Sequence, residues 1–431
     1  MIDIDLLRKN PEIFKKGSRD KNAPVDIDAV LGLDKKWRDA LINMENLRAE
    51  QNKIGEGVAS EKDSAKKQEI LNQLKEIKEK IRTVEGEEEI LRRDLEKMVK
   101  QIPNPPLDNV IVGKDDSGNK VLREVGEKPK FDFEVKDYIA LGEALDIIDT
   151  ERAAKVSGAR FGYLKGDGAL LEFALAQYAF ETLVKEGFVP VVPPVLVRPE
   201  SMQAMGYVER GGDEIYHLEK DDLYLVGTSE QSIGPMHMGE IFEEKDLPVR
   251  YVGFSTCFRR EAGSHGKDTR GILRVHQFDK LEMFSIVTSE KSQDEHKFLL
   301  SMEEKLMQGL GLPYHVLDIC SGDLGDPAVA KYDIEAWIPS QNTYRETHST
   351  SNTTDFQSRR LNIRYRPQGQ EKGTKFAHML NGTAFAIGRI IIAIIENNQQ
   401  ADGSIKMPEV LQKYMPGNRT SIISKNKRFS C

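Results

Sequence analysis

The longest regular signal in the chain is a pair of heptad series. Val30, Leu33, Trp37, Ala40, Met44, Leu47, Gln51, Ile54 and Val58 recur at spacings of three and four. So do Ile70, Leu74, Ile77, Ile81, Val84, Glu88, Leu91, Leu95, Met98 and Ile102. A sustained seven-residue period puts such positions on one helical stripe and predicts coiled-coil packing. The segment ASEKDSAKK between the series is short and polar, so the two helices must run antiparallel. Each series spans roughly 30 residues, or roughly 45 Å at 1.5 Å per residue. The hairpin, about residues 28–102, either packs on the body or another chain, or stands in solvent as an arm. Charge on all of its outer faces favours the arm.

Pro103, Pro105 and Pro106 in QIPNPPLDNV end the helical pattern, because proline removes amide donors and biases the chain to extended forms. The expected organisation is an N-terminal domain over 1–106, a body over 107–415 and a basic, flexible tail over 416–431. DDSGNK reads as a turn, and the body is expected to begin in earnest near DYIALGEALDIID. LEFALAQYAFETLVKEGF has a helical apolar face ending at Gly187, and VPVVPPVLV is extended and interrupted by proline. RYVGFSTCFRRE and LRVHQFDKLEMFSIV alternate as strands around a loop and predict an antiparallel hairpin. NTYRETHSTSNTTDFQSRRLNIRY also reads as strand, and AFAIGRIIIAIIEN as an apolar helix. Without regular βαβ alternation, this order predicts an α+β body: an antiparallel sheet flanked by helices.

Composition narrows the class. No run of about 20 apolar residues predicts a membrane span. The start, MIDIDLLRKNPEIF, lacks the order of a signal peptide, and three dispersed cysteines form neither a disulfide framework nor a metal pair. A cytoplasmic location is expected. A net charge of −8 argues against a protein that coats nucleic acid by bulk charge, while leaving room for a local basic patch.

The chemistry concentrates around the predicted hairpin. One alternating set, Arg274, His276, Phe278, Lys280, Glu282 and Phe284, is neither a core face nor a plain solvent face, so it is expected to look into a site. Period-two geometry puts Arg259 and Glu261 on one face of the upstream strand and Arg260 on the other. Arginines suit phosphate oxygens, an aromatic face stacks on a base, and carboxylates accept from an ammonium or hydroxyl. A salt-bridge ladder across the hairpin would use the same residue types. Arg389 interrupts an apolar helix and needs either an acidic neighbour or a ligand anion. Glu346 with Ser349 and Asn352 offers hard oxygen donors suited to Mg²⁺. Thr228 and Glu230 in GTSEQ are weak signals alone. No GxxxxGK[ST] phosphate loop occurs, so side chains on a sheet would have to hold any nucleotide.

Taken together, these segments resemble a known family. FRREAGSHGKDTRGILRVHQFDKLEMF resembles the second signature motif of class II aminoacyl-tRNA synthetases, and LNGTAFAIGRIIIAIIEN the third. FETLVKEGFVPVVPPVLV resembles the first, with Pro193 or Pro194 as its proline. The helical hairpin, TSE at Thr228, HQFDKLE and TSNTTDFQSRR are similar to the seryl-tRNA synthetase family in particular. The resemblance implies a homodimer that activates L-serine with ATP and passes the seryl group to the terminal adenosine of serine tRNA, with selenocysteine tRNA as a second candidate. It implies that Arg259 holds the α-phosphate, Glu261 reads the adenine amino group, and Phe278 and Arg389 sandwich the adenine. Arg274 would contact the outer phosphates, and Glu346 and Ser349 would ligate Mg²⁺. Arg260, Thr347 and His348 would complete the ATP site; His348 stands where the family usually has a small residue and is expected in the pocket wall. Thr228, Ser229, Glu230, Glu282 and Thr383 would surround serine. No zinc is expected. The hairpin would grip the tRNA, and Lys75, Lys78 and Arg82 are the candidate contacts.

Overall fold

The computed structural model describes residues 2–262, 270–370 and 372–424. Two compact units divide it, Ile2–Pro105 and the chain from Pro106 onward. Among the described residues, no helix is long and apolar enough to cross a membrane.

In the first unit the two heptad series form α1 (Ile27–Ser60) and α2 (Ser64–Lys100), capped by the side chains of Asp26 and Asp63. Most of ASEKDSAKK is helical, leaving three residues for the turn. At 34 and 37 residues the helices are longer than the heptads alone suggest, about 50–55 Å each. Val30, Met44, Ile77, Ile81, Val84 and Leu95 are buried along the seam. Glu88, an acid in an apolar stripe, accepts a hydrogen bond from Trp37 Nε1 across the seam at 2.7 Å. Asp34 is fully buried and accepts from Arg8 Nε at 2.9 Å and Arg38 Nε at 3.0 Å, which ties the first short helix (Ile4–Lys9) to the hairpin base.

The second unit is built on an eight-stranded sheet. Its strands are β1 (Lys120–Val125), β2 (Val189–Val191), β3 (Val249–Phe258), β4 (Gln277–Val287), β5 (Tyr314–Asp318), β6 (Ala330–Ile338), β7 (Thr343–Asn352) and β8 (His378–Ala386). The spatial order is β1-β5-β6-β7-β8-β4-β3-β2. Every neighbouring pair is antiparallel except β2–β3. Helices α3 (Asp167–Val184), α4 (Ser292–Leu310) and α5 (Ile387–Asn397) pack into one core with Leu281, Met283, Ile334 and Leu380 of the sheet. The expected α+β class with an antiparallel sheet is what the chain forms.

Three boundaries differ from the sequence reading. The body starts earlier, because KVLREV is an edge strand whose mostly exposed residues carry no apolar period. The apolar helix starts later: residues up to Ala386 are strand, and a buried apolar run is ambiguous between the two. The segment after residue 415 is not tail throughout, since Ser421–Ile422 pairs with Ile405–Lys406 and Ile422 is fully buried. Basic composition hid a short strand there; residues 425–431 lie outside those described.

Candidate active site

On the face of the sheet away from the main core lies a cavity of about 740 Å³, within the range of small-molecule sites. Strand β4 lines it with Phe278, Lys280 and Glu282, while Leu281 and Met283 face the core. The odd composition of that strand therefore has its cause: one face is core and the other is site. Phe284 and Ile286, beyond Glu282, belong to a second apolar cluster with Met205, Ile233 and Leu361, which closes that end.

The arginine–glutamate pair reaches the cavity by another route than alternation. Strand β3 ends at Phe258, and Glu261 takes a left-handed conformation with φ +49°. That turn brings Arg259 and Glu261 to the cavity. Arg260 does not follow. It is exposed, with its guanidinium 5.4 Å from the Tyr216 ring, so its expected place in the ATP site is not what the structure gives. Arg274 also precedes its strand, lines the cavity, and has Nη1 3.7 Å from Glu261 Oε2. Residues 263–269 of the connecting loop lie outside those described.

Two bulges shape the wall. Glu346 and Ser349 are three apart, and a regular strand would put them on opposite faces. Strand β7 carries an extra residue, with His348 opposite Ile334 but Glu346 opposite Glu335. The register shift at Thr347 lets Glu346, Thr347 and Ser349 all line the cavity. His348 is turned the other way. It is buried against Phe385 at 5.9 Å, its Nδ1 is 2.8 Å from Thr347 Oγ1, and burial pushes its pKa down to about 3. It is therefore a neutral core residue and not the expected pocket-wall residue. A second bulge leaves Ala384 unopposed, with Leu281 opposite Phe385 and Glu282 opposite Thr383. Extra residues of this kind re-aim side chains beside functional sites.

Charge is unevenly spread. At one end Arg389 Nη1 lies 3.2 Å from Glu346 Oε1 and donates to the Glu346 carbonyl oxygen at 3.0 Å. Desolvation within the cavity pushes the pKa of the half-exposed Glu346 up, but Arg389, Lys331, Arg259 and Arg274 outweigh it and hold the carboxylate ionised. Arg259 Cζ lies 5.4 Å from the Phe278 ring. At the other end, Thr383 Oγ1 donates to Glu282 Oε2 at 3.4 Å, and Lys280 pairs with the same carboxylate. Tyr207 donates to Glu230, whose pKa is pushed up to about 7, first by burial and then by Glu282, with Tyr207, Lys280 and Arg259 pulling against them. The Thr228 hydroxyl lines the cavity and has no hydrogen-bond partner among the described residues. Ser229 misses the cavity, because its buried hydroxyl donates to the Gly253 carbonyl oxygen at 3.4 Å.

The cavity thus gathers Arg259, Glu261, Arg274, Phe278, Glu282, Glu346, Thr347, Ser349, Thr228, Glu230, Thr383 and Arg389. It also holds residues to which the sequence reading gave no role. Lys280 sat on the site-facing set all along, and Asn381 shares the face of Thr383 two residues on. Tyr207 comes from a segment without motif or period. Glu346 and Ser349 present hard oxygen donors, one anionic, which fit Mg²⁺ accompanied by phosphate oxygens. Among the described residues no three His, Cys, Asp or Glu side chains form a metal cluster.

Known proteins match this chain along nearly its whole length. Residues 215–398 match the family described as tRNA synthetase class II core domain (G, H, P, S and T), and residues 1–106 the Seryl-tRNA synthetase N-terminal domain. A serine--tRNA ligase of Acidothermus cellulolyticus is 49% identical over 416 residues, 96% of this chain and 98% of that protein. The crystal structure of seryl-tRNA synthetase from Pyrococcus horikoshii complexed with ATP aligns with a TM-score of 0.92 at 39% identity, over 98% of this chain and 100% of that one. Cytoplasmic serine-tRNA ligase from Naegleria fowleri, solved in complex with AMP, aligns with a TM-score of 0.86 at 35% identity over 99% of both chains.

Proposed function

The chain belongs to the seryl-tRNA synthetase family, and from that premise we propose how its cavity performs the reaction. The chain joins serine to tRNA using ATP. The serine carboxylate attacks the α-phosphorus, a P–O bond forms, and the bond to pyrophosphate breaks. A ribose hydroxyl of the tRNA's terminal adenosine then attacks the seryl carbonyl and AMP leaves. Serine supplies the nucleophile, so the protein's task is to hold two anions in line and stabilise the charge that develops at phosphorus. What carries this reading is the single cavity shared by the three guanidinium groups, the Phe278 ring and the carboxylates.

In this reading Arg259 stabilises the α-phosphate, Glu261 accepts from the adenine amino group, and Phe278 and Arg389 enclose the ring. Arg274 pairs with the outer phosphates. Glu346 and Ser349 would hold Mg²⁺, which when bound neutralises phosphate charge. Glu282 and Thr383 take the serine hydroxyl, and Thr228 and Glu230 take the ammonium. A site built to hydrogen-bond a hydroxyl rejects analogues lacking it by far more than an apolar pocket could. Amino-acid-dependent pyrophosphate exchange tests the assignment: strong exchange with serine is expected, and exchange with alanine or glycine but none with serine would end it.

Glu230 makes serine binding pH-dependent. Below about 7 it is protonated and cannot pair with the ammonium; above that it is anionic. The serine KM is therefore expected to climb by up to about tenfold per unit as pH falls below this value, with the ATP KM unmoved. A flat serine profile from pH ~6 to ~8 would reject that role.

Two partners complete the proposal. Phe173, Val184, Val189 and Val192 are exposed apolar residues along α3 and the extended segment after it, with Phe173 66% and Val192 80% accessible. Patches of this kind mark interaction surfaces, and a second copy of the chain fits this one; sedimentation as a monomer would reject it. Lys75, Lys78 and Arg82 are exposed on α2, off the seam, and are proposed to meet tRNA phosphates. Selenocysteine tRNA, which the enzyme would recognise by the same overall shape, is proposed as a second acceptor and is tested by charging it alone.

A further inference from the structure

Strands β7 and β8 pair only at Thr350–Gly382, Ser351–Asn381 and Asn352–Leu380, and beyond Gly382 the sheet forks open into the cavity. Asn381 and Thr383 face the cavity, so the hydrogen side of Gly382 faces the helices. A Cβ there would meet Met283 Cε at 3.2 Å, Thr350 Oγ1 at 3.2 Å and Glu303 Oε1 at 3.3 Å. Glu303, from α4, thus sets its carboxyl in the space that a side chain at Gly382 would take, behind the backbone at the fork. It is fully buried, and among the described residues its one polar neighbour is the Thr383 amide N–H, in a contact too poorly aligned to count as a full hydrogen bond. Burial first, then the charges of Glu282, Asp333 and Glu304, push its pKa well up, while the Thr383 amide N–H draws it weakly the other way. Glu303 is thus a buried carboxyl, its pKa held well up, behind the serine-binding residues.

A buried acid with so weak a partner is destabilising, and an apolar side chain of the same shape would serve packing better. Its position at the one place where the site strand parts from its neighbour gives it a use. We infer that Glu303 is a positioning residue for the amino-acid half of the cavity: from behind the sheet it sets the height of the Gly382–Thr383 main chain, and with it the reach of the Thr383 hydroxyl. The inference rests on the serine-activating reading above. It accounts for the long 3.4 Å contact from Thr383 Oγ1 to Glu282, a contact poised to shorten around a substrate hydroxyl.

The test is pyrophosphate exchange by the full chain and its Glu303→Met, Glu303→Gln, Thr383→Ala and Thr383→Ala/Glu303→Met variants. Glu303→Met is expected to melt no lower than wild type, yet to raise the serine KM about tenfold, the scale of one well-placed hydrogen bond. Its ATP KM stays put. Glu303→Gln, which keeps a donor and an acceptor, stays within about threefold of wild type for serine. In the Thr383→Ala background the methionine adds no further penalty, because positioning through Thr383 makes the two changes non-additive. An unchanged serine KM in folded Glu303→Met, an equal rise in the ATP KM, or additive effects would each overturn the inference. Should Glu303→Met not fold, difference infrared spectra decide. Serine must perturb a protonated-carboxyl band that Glu303→Gln lacks, and silence of that band overturns the proposal. A wild-type chain that activates another amino acid but not serine would sink the substrate reading instead, and the methionine–glutamine contrast on that amino acid would still decide Glu303.

Discussion

Arg259→Ala is expected to lower serine-dependent pyrophosphate exchange by at least about 100-fold while leaving the fold intact, the size seen when one preorganised charge stabiliser is removed. The side chain sits where the strand has just ended, half-buried, with Nε donating to the Gly227 carbonyl oxygen at 3.2 Å. Losing that one charge-assisted hydrogen bond costs about 1.5–3 kcal/mol, a minor part of the stability of a unit this size. The guanidinium, however, is set between the Phe278 ring and the ends of the cavity that hold Glu230 and Glu346, and its charge is felt by both carboxyls. Its loss therefore acts on phosphorus chemistry and not on packing. Arg259→Lys should rescue only part of the rate, since an ammonium offers no planar fork to a phosphate. Near-normal exchange by a well-folded Arg259→Ala variant, with melting unchanged, would remove the proposed site.

The hairpin was legible because its signal is one-dimensional. A seven-residue period needs no knowledge of the rest of the chain, and even its anomaly, Glu88, keeps the period because Trp37 satisfies it. The β3–β4 pair was legible for the same local reason. What alternation could not carry was the departure from it. Glu346 and Ser349 share a wall only through the extra residue at Thr347, and a bulge leaves no mark in the apolar pattern. The same shift took His348 out of the wall. Arg260 and Glu261 were assigned faces of a strand that had already ended at Phe258, since nothing in FRRE marks a left-handed turn at a glutamate. Tyr207 and Glu303 act across long sequence separations from segments with no motif, and there only the assembled sheet reveals them. The buried strand at Ser421–Ile422 was masked by the basic residues around it.

Shortening the hairpin should separate the two halves of the reaction. Excising residues 45–82 and joining Met44 to Thr83 through a short glycine-containing turn keeps the Trp37–Glu88 bridge and the buried Asp34 cluster. It removes Lys75, Lys78 and Arg82 and the outer Arg48–Glu85 pair. Both helices remain amphipathic, with Val30, Val84 and Leu95 still to bury, so the base of the unit should stay folded. Every residue lining the cavity lies beyond Pro106, in the other compact unit, so serine-dependent exchange is expected within about twofold of wild type, as for changes at distant, independent sites. Charging of tRNA is expected to fall by at least about 100-fold, because a rod that meets an RNA through shape and phosphates loses most of its contacts with its length. The loss should appear in the KM for tRNA and weaken as salt is raised in the wild type, which then loses the same contacts by screening. Unimpaired charging by the shortened chain would show that the hairpin does something else. Loss of exchange together with charging would show that the two units do not act independently.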